Sequence, residues 1–330
     1  LAISSAASDV YKRQSPPTAI SFGERLGIAV ATGKTHSCAI LDNASVNCWG
    51  YNNHGQLGDG TVNSSNVPVW VDLGDNVSAV SLTAGDSHTC ALTNNGTMMC
   101  WGYNSQGQLG DGTTNNSYIP VSVDFDVKRA VAISAGGEHT CALLNDARAH
   151  CWGWNDRGQL GDGTLLSQST PTEITTDSNV TAIATGERHT CGLLDNSSIM
   201  CWGNNADGQL GDNSTSNSSI PQYVHTNTSF DAVSLTAGIS HSCAVSSSGD
   251  VQCWGDNYHD QLGDGTGNNS LVPIASPLSE SIVLSERDRD GDGVLNVYDT
   301  NMPGDEDGDG IATPEDCLLY TSDAADEIAS

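Results

Sequence analysis

The fold is decided by the stretch Gly85–Thr113, which reads GDSHTCALTNNGTMMCWGYNSQGQLGDGT. The pattern G-x-x-H-[ST]-C-x9-C-W-G-x-N-x-x-G-Q-L-G-D-G-T recurs with a period of 50 to 52 residues, and its copies begin at Gly33, Gly85, Gly136, Gly186 and Gly238. Two copies depart from it, because the fourth has Asn213-Ser214 in place of Gly-Thr and the fifth has Asp260 in place of the first glycine of GQLGDG. Self-similarity at a fixed period predicts a repeat architecture.

Each repeat unit is predicted to form four short strands. In the second unit these are Val80–Ala84, Cys90–Leu92, Met98–Trp101 and Pro120–Val123, the last one starting at a proline that every unit has. About fifty residues and four strands per unit are typical of a propeller blade. A single blade cannot bury both of its faces, so neighbouring blades must stack. The sequence therefore predicts an all-β propeller.

The repeat closely resembles that of the RCC1 (regulator of chromosome condensation) family, in a form typical of secreted bacterial or archaeal proteins. The resemblance extends over residues 17–284 and rests on the G-x-x-H-T-C-A-L…C-W-G-x-N-x-x-G-Q-L-G-D-G-T pattern. Because members of that family form seven-bladed propellers, it implies about seven blades in the full protein. Five complete motif cores are present here, so we expect about two further blades upstream. A repeat of this kind implies a fold more securely than a function.

The two ends of the chain resemble sequencing-adapter read-through. Residues 4–14 (SSAASDVYKRQ) and 317–327 (CLLYTSDAADE) can be encoded by one DNA element read in opposite orientations. We therefore interpret residues 1–14 and 317–330 as artefact and assign no fold to them. Residues 15–284 are assigned to an N-terminally truncated propeller, and residues 285–316 to a short tail.

Composition excludes two classes of partner. The 330 residues include 40 acidic and 11 basic side chains, giving a formal net charge of −29. Nucleic acid is excluded as a main partner, because that binding relies on Lys and Arg neutralising phosphates. No apolar run approaches the roughly 20 residues of a membrane-spanning helix, so we predict no membrane span in this fragment.

Ten cysteines form five pairs with one spacing. A hairpin turn centred on Asn43 places Cys38 opposite Cys48, where the Cα atoms of a non-hydrogen-bonded pair lie about 4.5 Å apart. That distance lies at the short end of disulfide geometry, and paired cysteines indicate an oxidising compartment. The alternatives are metal ligation by His36, Cys38 and Cys48 with their equivalents, and buried free thiols. The predicted disulfides are Cys38–Cys48, Cys90–Cys100, Cys141–Cys151, Cys191–Cys201 and Cys243–Cys253.

The recurring histidines and tryptophans are interpreted as packing residues. A catalytic histidine is expected in one unit and not in five, so we expect the rings to bond neighbouring backbone between blades. The tryptophans supply bulk between blades, and the glycines permit turns with positive φ. The histidines are His36, His88, His139, His189 and His241, and the tryptophans are Trp49, Trp101, Trp152, Trp202 and Trp254.

Two acidic loops follow the last unit and match a twelve-position calcium loop. Oxygen ligands occupy positions 1, 3, 5, 9 and 12, the residue at position 7 offers its carbonyl, and position 6 is glycine. Pro303 and Gly304 separate the loops in place of EF-hand helices, so the pair resembles the thrombospondin type 3 repeats of extracellular proteins. The alternative is a solvated acidic linker. The predicted calcium ligands are Asp288, Asp290, Asp292, Val294, Asn296, Asp299, Asp305, Asp307, Asp309, Ile311, Thr313 and Asp316.

The favoured function is a non-enzymatic extracellular or cell-surface binding propeller, stapled by disulfides and attached to a calcium-stiffened spacer. Its candidate binding arc is the variable residue of W-G-x-N, namely Tyr51, Tyr103 and Trp154. Aromatic side chains suit protein or glycan partners, although ordinary packing beside the G-Q-L turn is the competing interpretation.

Three other functions are alternatives to this hypothesis. A secreted enzyme acting on polysaccharide needs a unique acid, base or nucleophile, and the unit-specific charges Lys34, Asp86, Glu138, Glu187 and Arg188 form no recognisable catalytic constellation. An enzyme-inhibitor propeller, like the secreted RCC1-type propellers that block β-lactamases, is a special case of the binding hypothesis. The nucleotide-exchange role of nuclear family members is disfavoured by the acidic charge.

Overall fold

The computed structural model describes residues 19–226 and 230–275, which form twenty strands in five four-stranded antiparallel sheets. Both predicted calcium loops and the two excluded termini lie outside these residues. The strands of the first two blades are β1 (Gly27–Thr32), β2 (His36–Leu41), β3 (Val46–Gly50), β4 (Ser65–Val71), β5 (Ala79–Ala84), β6 (His88–Thr93), β7 (Met98–Gly102) and β8 (Ser117–Val123). The remaining strands are β9 (Ala130–Ala135), β10 (His139–Leu144), β11 (Ala149–Gly153), β12 (Gln168–Glu173), β13 (Val180–Thr185), β14 (His189–Leu194), β15 (Ile199–Gly203), β16 (Ser218–Tyr223), β17 (Ala232–Ala237), β18 (His241–Ser246), β19 (Val251–Gly255) and β20 (Ser270–Ala275).

Each sheet is one blade, and the blades follow one another around a common axis. The strands of a blade pair in chain order, so that in the first blade β1 is innermost and β4 forms the outer edge. The innermost strands of consecutive blades, β1, β5, β9, β13 and β17, contact one another. This arrangement confirms the predicted all-β propeller architecture.

Disulfide bonds staple the central hairpin of every blade. In the third blade Cys141 pairs with Cys151 across β10 and β11, with a Cα–Cα distance of 4.1 Å. The same pairing recurs at the other four positions that the spacing predicts, with Cα–Cα distances of 4.0 to 4.1 Å. A cross-strand pair is a local constraint, so each bond stabilises its own blade.

The hydrophobic core lies between blades. The cluster between the second and third blades joins Cys90, Cys100 and Leu109 of one to Ala142 and Trp152 of the next. Three further clusters repeat this composition at the other blade boundaries. The disulfides of the first four blades therefore pack against the tryptophan of the following blade, which compensates for the low apolar content of the chain.

The outermost strand starts earlier than predicted. In the second blade β8 begins at Ser117, three residues before Pro120, because Gly102 of β7 pairs with Ser117 across an irregularity in the ladder. Proline lacks the N–H donor that an inner strand needs, and an edge strand tolerates that lack.

The glycines of the G-Q-L-G turn are required by the next blade. Gly107 has φ +85°, and a Cβ atom built on it would meet Cα of Ser169, on β12 of the third blade, at 2.6 Å. The two units that depart from the pattern keep the left-handed backbone, since Asn213 has φ 62° and Asp260 has φ 61°. Asn and Asp are the residues that tolerate this region best after glycine.

Candidate functional site

Two positions that vary between repeats lie together at one end of each blade. In every blade the residue before the repeat histidine accepts a backbone hydrogen bond from the variable residue of W-G-x-N, with N–O distances of 2.8 to 2.9 Å. Both positions therefore lie side by side, next to the turn that joins the first two strands of the blade. We call this end the variable face. Its donor residues are Tyr51, Tyr103, Trp154, Asn204 and Asp256, and its acceptors are Thr35, Ser87, Glu138, Arg188 and Ser240.

The centre of the variable face is a concavity of about 310 Å³ at the end of the innermost strands. The residues after the first glycine of each repeat line it, and these are Lys34, Asp86, Gly137, Glu187 and Ile239. Backbone hydrogen bonds run from blade to blade around it, from Asp86 N to Gly137 O (3.0 Å), from Gly137 N to Glu187 O (3.1 Å) and from Glu187 N to Ile239 O (3.3 Å). The repeats thus build a fixed rim that carries variable side chains.

The charges on this rim are mixed. Lys34 donates to Asp86 at 3.1 Å, and this hydrogen bond raises the pKa of Lys34. Partial burial, and to a smaller extent the neighbouring Asp86, raises the pKa of Glu138. The rim carries both cationic and anionic side chains, so it is suited to recognition through charge.

The predicted aromatic arc lies on the outer part of the variable face. Tyr51 is 42% exposed, whereas Tyr103 and Trp154 are partly buried. The ring of His54, from the first blade, lies 4.8 Å from that of Tyr103 in the second. Arg188 stacks over Trp154 with its guanidinium carbon 4.3 Å from the ring centroid. These contacts hold the aromatic rings in place and leave one side of the arc open to solvent.

Beside the Trp154–Arg188 stack, a groove of about 320 Å³ is lined by residues of the third, fourth and fifth blades. It is lined by Arg157, Glu187, Arg188 and Asn204, among others. The variable face therefore changes along its length, from aromatic at the first three blades to charged and amide side chains at the fourth and fifth.

In the fifth blade the residue equivalent to the arc positions bonds the repeat glutamine. In the fifth blade Gln261 donates from Nε2 to Oδ2 of Asp256 at 2.7 Å, so this amide points towards the arc position. In the other four blades the glutamine Nε2 atom is buried without a hydrogen-bond partner among the described residues, at Gln56, Gln108, Gln159 and Gln209. Packing beside this glutamine and binding of a partner therefore both stay predictions for Tyr51, Tyr103 and Trp154.

The repeat histidines lie between blades, away from the variable face. His139 Nε2 lies 2.9 Å from Oγ1 of Thr190 in the next blade, and that hydroxyl donates to the carbonyl of Gln159 at 2.8 Å. The prediction that the ring bonds neighbouring backbone was wrong, because its partner is a side-chain hydroxyl. The indole Nε1 of Trp202 donates to the same Gln159 carbonyl at 3.0 Å. Sequence inspection missed this network, although the invariant Gln of G-Q-L-G was its signal.

Within residues 19–226 and 230–275 no cluster of three or more His, Cys, Asp or Glu residues has the geometry of a metal site. The cysteines that the metal interpretation required are disulfide-bonded. The same residues include no helix long and apolar enough to cross a membrane. The predicted calcium ligands from Asp288 to Asp316 lie outside the described residues.

Comparison with known proteins places this geometry in a family. The family model of the RCC1-like domain matches residues 5–286. The chain belongs to the RCC1-like domain family. It is 31% identical over 170 residues to the ultraviolet-B receptor UVR8 of Arabidopsis thaliana, covering 51% of this chain and 39% of the receptor. It is also 31% identical over 145 residues to the human E3 ubiquitin-protein ligase HERC2, covering 44% of this chain and 3% of the ligase.

Solved RCC1-like structures have the same fold. Human WBSCR16 matches with a TM-score of 0.70 and 22% identity, covering 78% of this chain and 68% of that one. Prp20p of Saccharomyces cerevisiae matches with a TM-score of 0.66 and 25% identity, covering 76% of this chain and 63% of that one. The RCC1-like chain spans less than half the length of the curated relatives it matches.

Proposed function

We propose that this RCC1-like propeller is a non-enzymatic binding module of the extracellular space or cell surface, and that the variable face recognises its partner. The proposal is supported by the different positions that the repeated and the variable residues take within each blade. Repeated residues form the blade interfaces, while several positions that differ between blades lie at one end, around or beside a concavity of about 310 Å³. A scaffold that holds variable side chains on a rigid rim is typical of recognition surfaces.

The partner chemistry is a protein surface or a glycan. Tyr51, Tyr103 and Trp154 offer aromatic faces, and Arg188 and Glu187 offer charged groups beside them. Aromatic and arginine side chains are enriched among residues that dominate binding energy. The structure of Prp20p is described together with its binding to Gsp1p and histones, which is a property of that protein.

The test replaces the arc and leaves the blades intact. Tyr51→Ala/Tyr103→Ala/Trp154→Ala is expected to keep its disulfides and circular dichroism spectrum and to lose binding on a glycan array and to a panel of secreted proteins. The matched control is Trp70→Ala, which removes an exposed tryptophan from β4. Equal binding by the triple variant and the parent would contradict the proposal, and so would global unfolding of the triple variant.

We also propose that residues 285–316 are a calcium-stiffened spacer of the thrombospondin type 3 kind, and that the chain is of secreted bacterial or archaeal type. Support comes from the two loop sequences with ligands at alternate positions, and from five disulfides that suit an oxidising compartment.

Calcium titration of the chain by calorimetry is expected to show two sites at extracellular, millimolar concentrations. Asp292→Ala and Asp309→Ala are each expected to remove one site. Asp264→Ala, an acidic control from the fifth blade, is expected to leave both sites in place. Heat that is unchanged in the Asp292→Ala/Asp309→Ala double variant would contradict calcium binding by the loops.

A further inference from the structure

We propose that the groove beside the Trp154–Arg188 stack binds the carboxylate of an acidic sugar residue, a uronate, within a glycan whose other residues are neutral. The groove has a volume of about 320 Å³ and belongs to the variable face. We call it the arginine groove. The inference rests on the binding function proposed for that face and names the class of its partner.

The arginine groove forms where the fourth blade has small side chains. At the arc position the second and third blades have Tyr103 and Trp154, whereas the fourth blade has Asn204. Two residues further along the chain, Ala206 takes the place that Asp156 has in the third blade. The lining residues come from the third, fourth and fifth blades, each of which is a complete four-stranded sheet. Asn204 and Ala206 therefore leave space at an internal boundary of the propeller.

Two arginine side chains supply the positive charge of the groove. Arg157, in the loop after β11, and Arg188, in the turn before β14, both line it. The Nε atom of Arg157 lies 3.5 Å from Oδ2 of Asp156, and the Nε atom of Arg188 lies 3.7 Å from Oε1 of Glu187. Neither guanidinium donates a hydrogen bond to a residue that the structure describes. Their N–H groups are therefore available to a ligand.

Stacking fixes the plane of one guanidinium. Arg188 lies over Trp154, with its guanidinium carbon 4.3 Å from the ring centroid. A guanidinium that is already held in place loses little conformational entropy on binding, and its paired N–H groups match the two oxygens of a carboxylate. The ion pairs with Asp156 and Glu187 are weak, because all four side chains are more than a third exposed. A ligand carboxylate therefore competes with them for both arginines.

The other walls of the arginine groove match sugar hydroxyls. Glu187 offers acceptor oxygens, whereas the amide of Asn204 and the hydroxyl of Ser240 each donate and accept. Ile239 adds an apolar contact for the C–H face of a sugar ring. Because Glu187 repels a second anionic group, the remaining groups of the occupant must be neutral donors. A uronate combines one carboxylate with several hydroxyls, and an acidic peptide side chain does not.

The charge of the whole chain limits how many carboxylates the partner carries. The formal net charge is −29, which repels a polymer that has a carboxylate on every residue. The two arginines attract a single carboxylate at short range, since salt screens interactions over longer distances. A uronate flanked by neutral sugars therefore fits the groove better than a polyuronate does. The flanking sugars would lie along Trp154 and Tyr103 of the arc.

Isothermal titration calorimetry of the whole chain with two oligosaccharides tests the proposal. One is a neutral xylo-oligosaccharide that carries a single glucuronate, and in the other the carboxyl group is reduced to an alcohol. The glucuronate form is expected to bind at least about tenfold more tightly, because its hydrogen bonds to the arginines are charge-assisted. Arg157→Gln/Arg188→Gln is expected to remove this difference. Arg148→Gln is the matched control, since Arg148 also pairs with an exposed carboxylate but lies in the turn between β10 and β11.

A second variant separates loss of the groove from misfolding. Asn204→Trp fills the groove with the side chain that the third blade has at this position, so it is expected to keep its disulfides and circular dichroism spectrum. Its binding of the glucuronate form is expected to be lost. Unchanged binding by this variant, or equal affinity of the parent for the two oligosaccharides, would overturn the proposal.

The outcomes also separate this inference from the proposed function. If the parent binds both oligosaccharides equally and the triple arc variant binds neither, the variable face is a binding surface but the groove does not select a carboxylate. If the parent binds neither oligosaccharide, the uronate proposal fails, and the glycan array and protein panel still decide the function of the face. Equal, arginine-dependent binding of a hexapeptide that alternates aspartate and glycine would overturn the sugar as the partner class.

Discussion

The hydrogen bonds of the histidine between blades determine its protonation state. Thr190 donates its only hydroxyl proton to the Gln159 carbonyl, so it must accept from His139, whose Nε2 therefore carries the proton. Nδ1 of His139 is then a buried lone pair without a donor among the described residues. Burial lowers the pKa of His139 to about 3, with smaller contributions from His189 and His88. The ring is therefore a neutral hydrogen-bond donor in the folded chain.

This state predicts acid sensitivity. In the unfolded chain the histidines protonate below their ordinary pKa of 6.5, whereas in the folded chain His88, His139 and His189 stay neutral down to about pH 3. The contribution of these neutral histidines to the free energy of unfolding is therefore expected to be complete above pH 6.5 and to be lost as the pH drops from 6.5 towards 3. At pH 4.5 each of these histidines is expected to lower the free energy of unfolding by roughly 3 kcal/mol.

Urea unfolding at pH 7.5 and pH 4.5 measures this loss. His139→Gln keeps a side-chain N–H donor and lacks the titrating ring, so it is expected to lose less stability between the two pH values than the parent does. His225→Gln is the control, because His225 is exposed in the loop after β16 and is not one of the buried histidines between blades. An equal pH dependence in His139→Gln and the parent would show that the buried rings do not carry the effect.

At the scale of the strand and turn, much of each blade was predictable. The hairpin register followed from the cysteine spacing, because a ten-residue separation around one turn brings Cys141 opposite Cys151. The early start of β8 was not predictable, since Ser117 joins the sheet through a ladder irregularity that leaves no trace in hydrophobic alternation. The bonds of His139 were also missed, because their partners lie in another blade about fifty residues away.

The G-Q-L-G turn offers a prediction with an internal control. Gly107→Ala is expected to lower the free energy of unfolding by roughly 2 to 4 kcal/mol, since the new Cβ adds backbone strain at φ +85° and overpacks against Ser169. Gly249→Ala has the same strain at φ +86° and meets nothing within 4 Å, so it is expected to cost roughly 1 to 2 kcal/mol. Chemical denaturation of the two variants provides the comparison. Equal losses would mean that contact with the next blade does not require the glycine.

At the scale of the whole molecule, one repeat serves two purposes. Its invariant residues build blade interfaces that are stapled by disulfides and linked through His, Thr, Trp and Gln. Several of its variable positions lie together at one end, and the pattern of five copies predicted that Tyr51, Tyr103 and Trp154 occupy equivalent sites there. The pairing of Lys34 with Asp86 and the stacking of Arg188 on Trp154 were not predictable, because they depend on contacts between blades.

Our main conclusion is that a disulfide bond cross-links each blade of this propeller, which suits an oxidising compartment. Its most direct test is the intact mass of residues 15–316, expressed with secretion, unfolded and alkylated without prior reduction. The account predicts no alkylated cysteine, and peptide mapping is expected to pair the ten cysteines blade by blade, as in Cys38–Cys48 and Cys243–Cys253. Ten alkylated thiols would contradict the stapled blades, and the extracellular function proposed from them would fall as well.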